Sequence, residues 1–166
     1  MSRLGTITRR SFMGLGVAAA GGLAVGFYMY RKPYTNPLLA LASKGDAVFN
    51  PYVKITPDNI ITIITPRAEM GQGVHTTLAA LVAEELDVTL DQVQIEHGPP
   101  AKAYYNSAMI AEGGPHAFFD ESFMAEMTRD SMNVVGKFLA MQITGGSSAT
   151  IDAFVKMREA GAAART

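Results

Sequence analysis

Asn59-Ile60-Ile61-Thr62-Ile63-Ile64-Thr65, then Glu69-Met70-Gly71-Gln72-Gly73-Val74-His75-Thr76-Thr77, then Leu78-Ala79-Ala80-Leu81-Val82-Ala83-Glu84-Glu85-Leu86, is the stretch on which the fold turns. The first run is β-branched and strand-like; the last places apolar residues at 78, 81, 82 and 86, one face of a helix from about Thr76 to Leu86. A strand feeding a glycine turn that opens a helix leaves backbone N–H groups without intrahelical partners, and these donors with the helix dipole suit a phosphate or another anion. Gly71 and Gly73 let the backbone approach a ligand with no Cβ in the way. Gln72, between them, offers one amide donor group and one acceptor to read that ligand.

Upstream, Val53-Lys54-Ile55 reads as a short strand, joined through Pro57-Asp58-Asn59 to the strand at 60–65 as a hairpin. Residues 33–51, with Pro33, Asn36, Pro37, Gly45, Asn50 and Pro51, read as an irregular linker holding one short helical turn near 38–43, and the compact part begins near Tyr52. Downstream, 87–91 closes the helix, and Gln92-Val93-Gln94-Ile95-Glu96-His97 alternates as a half-buried strand does. Strand, helix and strand in this order predict an α+β layer, with helices covering one face of a mixed sheet. Residues 98–115 read as loop, and 118–135 as an acidic, Met-rich helical connection.

A second unit of the same kind is predicted near the far end. Residues 137–144 read as a strand, Gly145-Gly146-Ser147-Ser148 as a turn with Ser147 or Ser148 as N-cap, and 149–165 as a helix with Asp152 in its first turn. Two strand–glycine turn–helix units facing one another would clamp an elongated, phosphate-bearing ligand; on the residues alone, ordinary connections in a layered sheet explain them equally. The last helix reaches Arg165-Thr166 with no stop signal, so the chain reads as the opening part of something longer.

The beginning reads as an address. Thr8-Arg9-Arg10-Ser11-Phe12-Met13 resembles a twin-arginine export signal, and the uncharged stretch at 11–30 is just long enough to span a bilayer. Phe27, Tyr28 and Tyr30 followed by Arg31-Lys32 resemble the aromatic and basic flank of an anchor. A cleaved signal and an uncleaved anchor in the inner membrane both fit, and either places the protein in the periplasm or on its face of that membrane.

Composition excludes several functions. Of 166 residues, 48% are hydrophobic and 17% charged, enough for a core. A net charge of −1 offers no basic face for nucleic acid. The absence of cysteine excludes disulfides, thiolate metal sites, a cysteine nucleophile and any Cys-held iron–sulfur cluster on this chain. Neither glycine turn carries the Gly-Lys-Ser/Thr of a P-loop, and no Ser–His–acid pattern is evident. His75, His97 and His116 lack metal-ligand spacing and read as structural; Met70, Met124, Met127, Met132, Met141 and Met157 read as core filler.

EMGQGVHT at 69–76, QITGGSSATIDAFVKMREAGAAAR at 142–165 and the twin-arginine start together resemble the molybdenum-binding large subunits of the xanthine oxidase family, of the isoquinoline 1-oxidoreductase and aldehyde dehydrogenase type. The resemblance implies a cofactor, molybdopterin, often in dinucleotide form, held between domains of an oxidoreductase that hydroxylates aldehydes or N-heterocycles with oxygen from water. It assigns Gln72 to the pterin or its phosphate, Gly71 and Gly73 to close backbone contact, and Thr144, Gly145, Gly146, Ser147 and Ser148 to a second cofactor turn. Its implied partners are the remainder of the large subunit, a small subunit carrying the iron–sulfur clusters, and in some assemblies a cytochrome acceptor. The organisation expected is a signal or anchor helix at 1–32, a linker at 33–51 and a partial cofactor-binding domain of α+β class, with mixed sheet and covering helices, at 52–166. The family's catalytic glutamate lies far along a longer subunit, so no catalytic or metal-ligating residue is expected here; Glu69, Glu84, Glu85, Glu96, Glu112 and Glu121 read as a turn residue or solvated faces. The competing class is a non-catalytic, membrane-tethered fragment or binding module.

Overall fold

The computed structural model describes residues 3–165, with side chains from Met13 onward. The chain divides into two units, 1–33 and 34–166. Within the first, helix α1 runs Arg3–Arg31, and its segment Met13–Arg31 has a mean hydropathy of 1.4 with none of that window buried. By length and composition this segment can cross a membrane, a test that a signal sequence also passes. Backbone at 8–12 is helical, whereas the side chains of Arg9 and Arg10 lie outside the described residues.

The second unit is α+β. Strands β1 (Ala47–Asn50), β2 (Val53–Ile55), β3 (Ile61–Thr65) and β4 (Val93–His97) form one sheet in sequential order. The first two junctions are antiparallel; β3 and β4 pair in parallel, from Ile61 opposite Val93 to Thr65 opposite His97. The parallel junction requires a crossover, and helix α2 (Val74–Leu86) supplies it. Strand β3 is buried on both faces from Thr62 to Thr65, so a nearly continuous β-branched run serves it better than strict alternation would. The expected hairpin and mixed sheet are therefore present.

Five local readings differ from the structure. Residues 98–115 are not all loop: a short helix, α3 (Ala108–Ala111), lies within them. Residues 33–51 are more than a linker: Leu38 is buried, and β1 pairs with β2 across a register shift between Val48 and Asn50. Strand β4 is an edge strand with most of its residues exposed rather than half-buried. The run at 137–144 is no strand. Helix α4 extends over Phe123–Leu139, with Val134, Val135, Phe138 and Leu139 keeping the helical spacing, and ends where Ala140 turns left-handed at φ 51°. Of the methionines read as core filler, Met157 is fully buried, whereas Met70, Met124, Met127 and Met141 are exposed.

The core lies where α2 and the last helix, α5 (Ser148–Arg165), cover the sheet: Val53, Ile63, Leu78, Val82, Tyr104 and Met157 are fully or almost fully buried. Gly161 sits at the crossing. A Cβ there would lie 2.6 Å from the carbonyl oxygen of Val82 and 2.8 Å from Glu85 Cβ. Helix propensity alone makes Gly161→Ala stabilising by about 1 kcal/mol. A backbone oxygen cannot swing aside as a side chain can, and overpacking costs about 1–3 kcal/mol. Gly161→Ala is thus expected to lower the urea midpoint with its slope unchanged; a raised midpoint would show that α5 moves freely on α2.

Candidate functional site

The chain leaves β3 through Pro66 and Arg67 into the glycine turn. Gly71 and Gly73 adopt φ values of 92° and 76°, which side chains disfavour, and Gly73 caps α2. Among the described residues, chain neighbours aside, nothing crowds them: a Cβ built on either meets no atom within 4 Å. The N–H donors expected to be open are taken. Gly71 and Gly73 donate to Glu69 Oε1 at 2.8 and 2.9 Å, and His75 N–H donates to Oε2 at 3.0 Å. These bonds, that from His75 first and then that from Gly73, hold the Glu69 carboxyl below the usual carboxylate range. Gln72 is exposed, but its amide folds back on the turn, with Nε2 donating to Ala68 O at 2.7 Å and Oε1 accepting from Met70 N–H.

The second turn lies beside the first. Thr144 Oγ1 accepts from Ala68 N–H at 2.8 Å, joining the two segments directly. One step back, Gln142 Oε1 accepts from Ala101 N–H at 3.0 Å and its Nε2 donates to Pro66 O at 3.3 Å. The junction thus lies off the carboxyl ends of the parallel strands β3 and β4, where sheets of this type bind ligands. Within the second turn the residues part company. Gly145 and Gly146 face Met109, with a Cβ on Gly146 falling 3.2 Å from its sulfur, and Ser147 is exposed with φ 54°. Ser148 is fully buried. Its hydroxyl donates to Gly145 O at 2.7 Å and accepts from Asn106 Nδ2 at 2.8 Å, so it ties the loop down instead of acting as a simple N-cap or facing a ligand.

Beneath both turns lies a polar network that residue patterns did not reveal. Arg67 is 1% exposed; Nη1 donates to Tyr104 O at 2.8 Å, and Nη2 to Tyr105 O at 3.1 Å and to Asp152 Oδ2 at 2.6 Å. Asp152 Oδ1 accepts from Ser107 N–H at 2.8 Å, and Lys156 Nζ reaches Oδ2 at 2.7 Å. Burial pulls the Lys156 ammonium below the usual lysine range although Asp152 opposes it. Arg67 Nε, buried, has no partner among the described residues. A cue was present: Arg67 lies two residues past a strand too apolar to be exposed, which sets it at the edge of the core.

The histidines do not gather into a metal site, and no group of three potential ligands occurs among the described residues. His75 and His97 nevertheless come together, with rings stacked at 5.8 Å between centroids, and His75 Nε2 donates to Arg67 O at 2.8 Å. His116 lies 3.2 Å from Thr128 Oγ1 and 3.5 Å from Asp120, away from the turns in sequence and in bonding. Among the glutamates, Glu69 is a turn residue as expected, and Glu85 pairs with Arg158 on the surface of the α2–α5 pair.

A model of the molybdopterin cofactor-binding domain matches residues 13–111. The chain is 31% identical over 144 residues to the beta subunit of isoquinoline 1-oxidoreductase from Brevundimonas diminuta, covering 87% of this chain and 15% of that protein. It is 33% identical over 96 residues to a membrane-bound aldehyde dehydrogenase (pyrroloquinoline-quinone) from Gluconacetobacter polyoxogenes, covering 55% of this chain and 12% of the relative. A nicotinate dehydrogenase subunit from Pseudomonas putida is 33% identical over 60 residues, 36% of this chain and 5% of its own length. The chain thus spans a small fraction of each relative.

Asp152→Ala would leave the Arg67 guanidinium buried without its counter-charge, a change that costs about 3–5 kcal/mol. The expected result is a large fall in the urea midpoint of the full 166-residue chain. Loss of less than about 1 kcal/mol, the scale of an exposed pair, would show that the network is solvated and does not hold the turns.

Proposed function

The chain belongs to the molybdopterin cofactor-binding domain family, and we propose that its two joined turns form part of the seat of a molybdopterin cofactor in an oxidoreductase subunit. The observation that carries this reading is the Ala68–Thr144 hydrogen bond, which sets an exposed glutamine and two open glycines beside a second glycine turn at the carboxyl ends of β3 and β4. Gln72, Thr144 and Ser147 set polar side chains at an accessible edge for a planar ligand rich in donors and acceptors, while Gly71 and Gly73, whose N–H groups are bonded to Glu69, offer close approach with no Cβ in the way. Gly145 and Gly146 contribute through the shape of the loop. Ser148 does not fit as a contact, because its hydroxyl is buried, with its proton given to Gly145 O and a lone pair taken by Asn106 Nδ2.

When bound, the cofactor supplies the redox centre at which a substrate carbon gains oxygen from water. The chain's own part is to hold and orient it. None of its acidic groups at the turns stands as a proton acceptor for that reaction: Glu69 is held by three backbone donors and Asp152 by Arg67 and Lys156. We therefore assign the base, the substrate pocket and the choice between aldehyde and N-heterocycle to other parts of the complex. We propose further that electrons leave through iron–sulfur clusters on a separate small subunit, with a cytochrome as a further acceptor; the absence of cysteine from this chain agrees with that.

Export by the twin-arginine route, with α1 in or through the inner membrane, completes the proposal; the motif at 8–13 and the apolar segment Met13–Arg31 support it. Fractionation tests this part. The chain should sediment with membranes and resist high salt, and release by salt alone would remove the anchor.

Cofactor binding is tested on chain purified from cells that make molybdopterin, by pterin fluorescence after oxidation. Gln72→Ala should lower pterin content about tenfold, the effect of losing a bidentate polar contact of about 1.4 kcal/mol, with only a small fall in the urea midpoint from the loss of its two exposed bonds within the turn. Pterin absent from the wild type, or unchanged in the variant, would refute the assignment. The chain alone should not oxidise an aldehyde or N-heterocycle with a dye acceptor, and turnover by it would place the base within these residues.

A further inference from the structure

The first turn carries a feature that a phosphate-cradling turn should lack: its cradle is filled from within. Successive donors at Gly71, Gly73 and His75 converge on the two oxygens of one side chain, Glu69, at 2.8 to 3.0 Å. These are charge-assisted bonds to a single carboxylate, the strong class of hydrogen bond. Helix α2 has no side-chain cap at Gly73 and no acid in its first turn, and the negative charge its N-terminus favours is supplied by Glu69. Gln72 is locked into the same arrangement, bonded to Ala68 O and Met70 N–H on the outer edge of the loop. An incoming phosphate would meet N–H groups already bonded and a like charge at contact distance.

We infer that Glu69 is the positioning residue of this turn: its carboxylate is the resident anion of the Gly71–Gly73–His75 cradle. The turn therefore meets its ligand with the Gln72 amide and the Thr144 edge, and it selects a neutral, amide-like pterin edge over a phosphate. The inference rests on the cofactor-binding reading above, but its test needs no molybdopterin, so the two can fail separately. Substituting a neutral side chain empties the cradle and creates an anion site that the wild type lacks.

The experiment titrates inorganic phosphate into the full 166-residue chain and into Glu69→Ala and Glu69→Gln, following thermal unfolding and the amide resonances of Gly71, Gly73 and His75. In the wild type these amides should not move and the melting temperature should not rise. In Glu69→Ala phosphate should bind saturably, roughly tenfold or more tightly than in the wild type, and restore part of the lost stability. Glu69→Gln, which keeps the length but turns an N–H₂ toward one donor, should fall between the two. A merely structural glutamate would lose stability on substitution without rescue by phosphate, and that result overturns the inference. So does a wild type whose three amides shift with phosphate, a reading that stands even when neither variant folds.

Discussion

The charge pair between Arg67 and Asp152 is the constraint on which the arrangement of this domain depends. It joins the residue that leaves β3 to a residue just past the first turn of α5, across 85 positions of sequence and at 2.6 Å. Through Tyr104, Tyr105 and Ser107 the same two side chains fix the loop that runs between the turns. Such a pair adds little net stability over a well-packed apolar core, because both ions lose their hydration. What it adds is geometry. Five-donor guanidinium and two-oxygen carboxylate accept few arrangements, so the first turn cannot shift without exposing an unpaired charge in the core.

The helices built on the two turns run side by side in the same direction. Their amino ends meet through Arg67–Asp152 and Ala68–Thr144; their carboxyl ends meet through Glu85–Arg158 and through Asp87–Arg165 at 3.2 Å. Close approach is possible because Gly161 lies against Val82 with no side chain between. Two parallel helices bring two positive dipole ends to one place, which is unfavourable unless negative charge is set there. Glu69 answers the end of α2, and Asp152 stands near the start of α5. The surface pairs at the other end are worth little individually, so alignment comes from the buried end and the glycine contact.

Sequence periodicity made the β3–turn–α2–β4 unit legible, since a β-branched run, two glycines and a 3.6-residue apolar pattern occur in the order of the elements they form. The same reasoning failed where its signals are shared. The run from Lys137 to Thr144 suits strand or helix equally, and α4 claims its first part because Val134 and Val135 already set the helical phase. Strand β1 was hidden because four residues flanked by glycine and proline carry no period; pairing with β2 makes it a strand. The exposed methionines and phenylalanines of 118–141 could not be told from core by composition. At the site, the glycine turn before α2 was legible from residue type, whereas the residues alone allowed two readings of the second turn, and the Ala68–Thr144 bond places it beside the first. The partners were not: which acid fills which cradle is decided by contacts across the fold, and neither Glu69 nor Asp152 differs in sequence from a solvated carboxylate.

Filling the cradle with Glu69 has a consequence for how such a turn stays folded before any ligand arrives. A glycine-flanked loop loses much backbone entropy on ordering, and left empty it would have only water to satisfy its donors. With its donors bonded to a side chain six residues or fewer away, the loop closes on itself and presents Gln72 in a fixed place. On the proposed reading, binding exchanges the two bonds that the neutral Gln72 amide makes within the turn, while the three charge-assisted ones at Glu69 stay intact. On that proposal one short turn is both rigid and receptive: the charged contacts maintain its shape, and the neutral amide would meet the ligand.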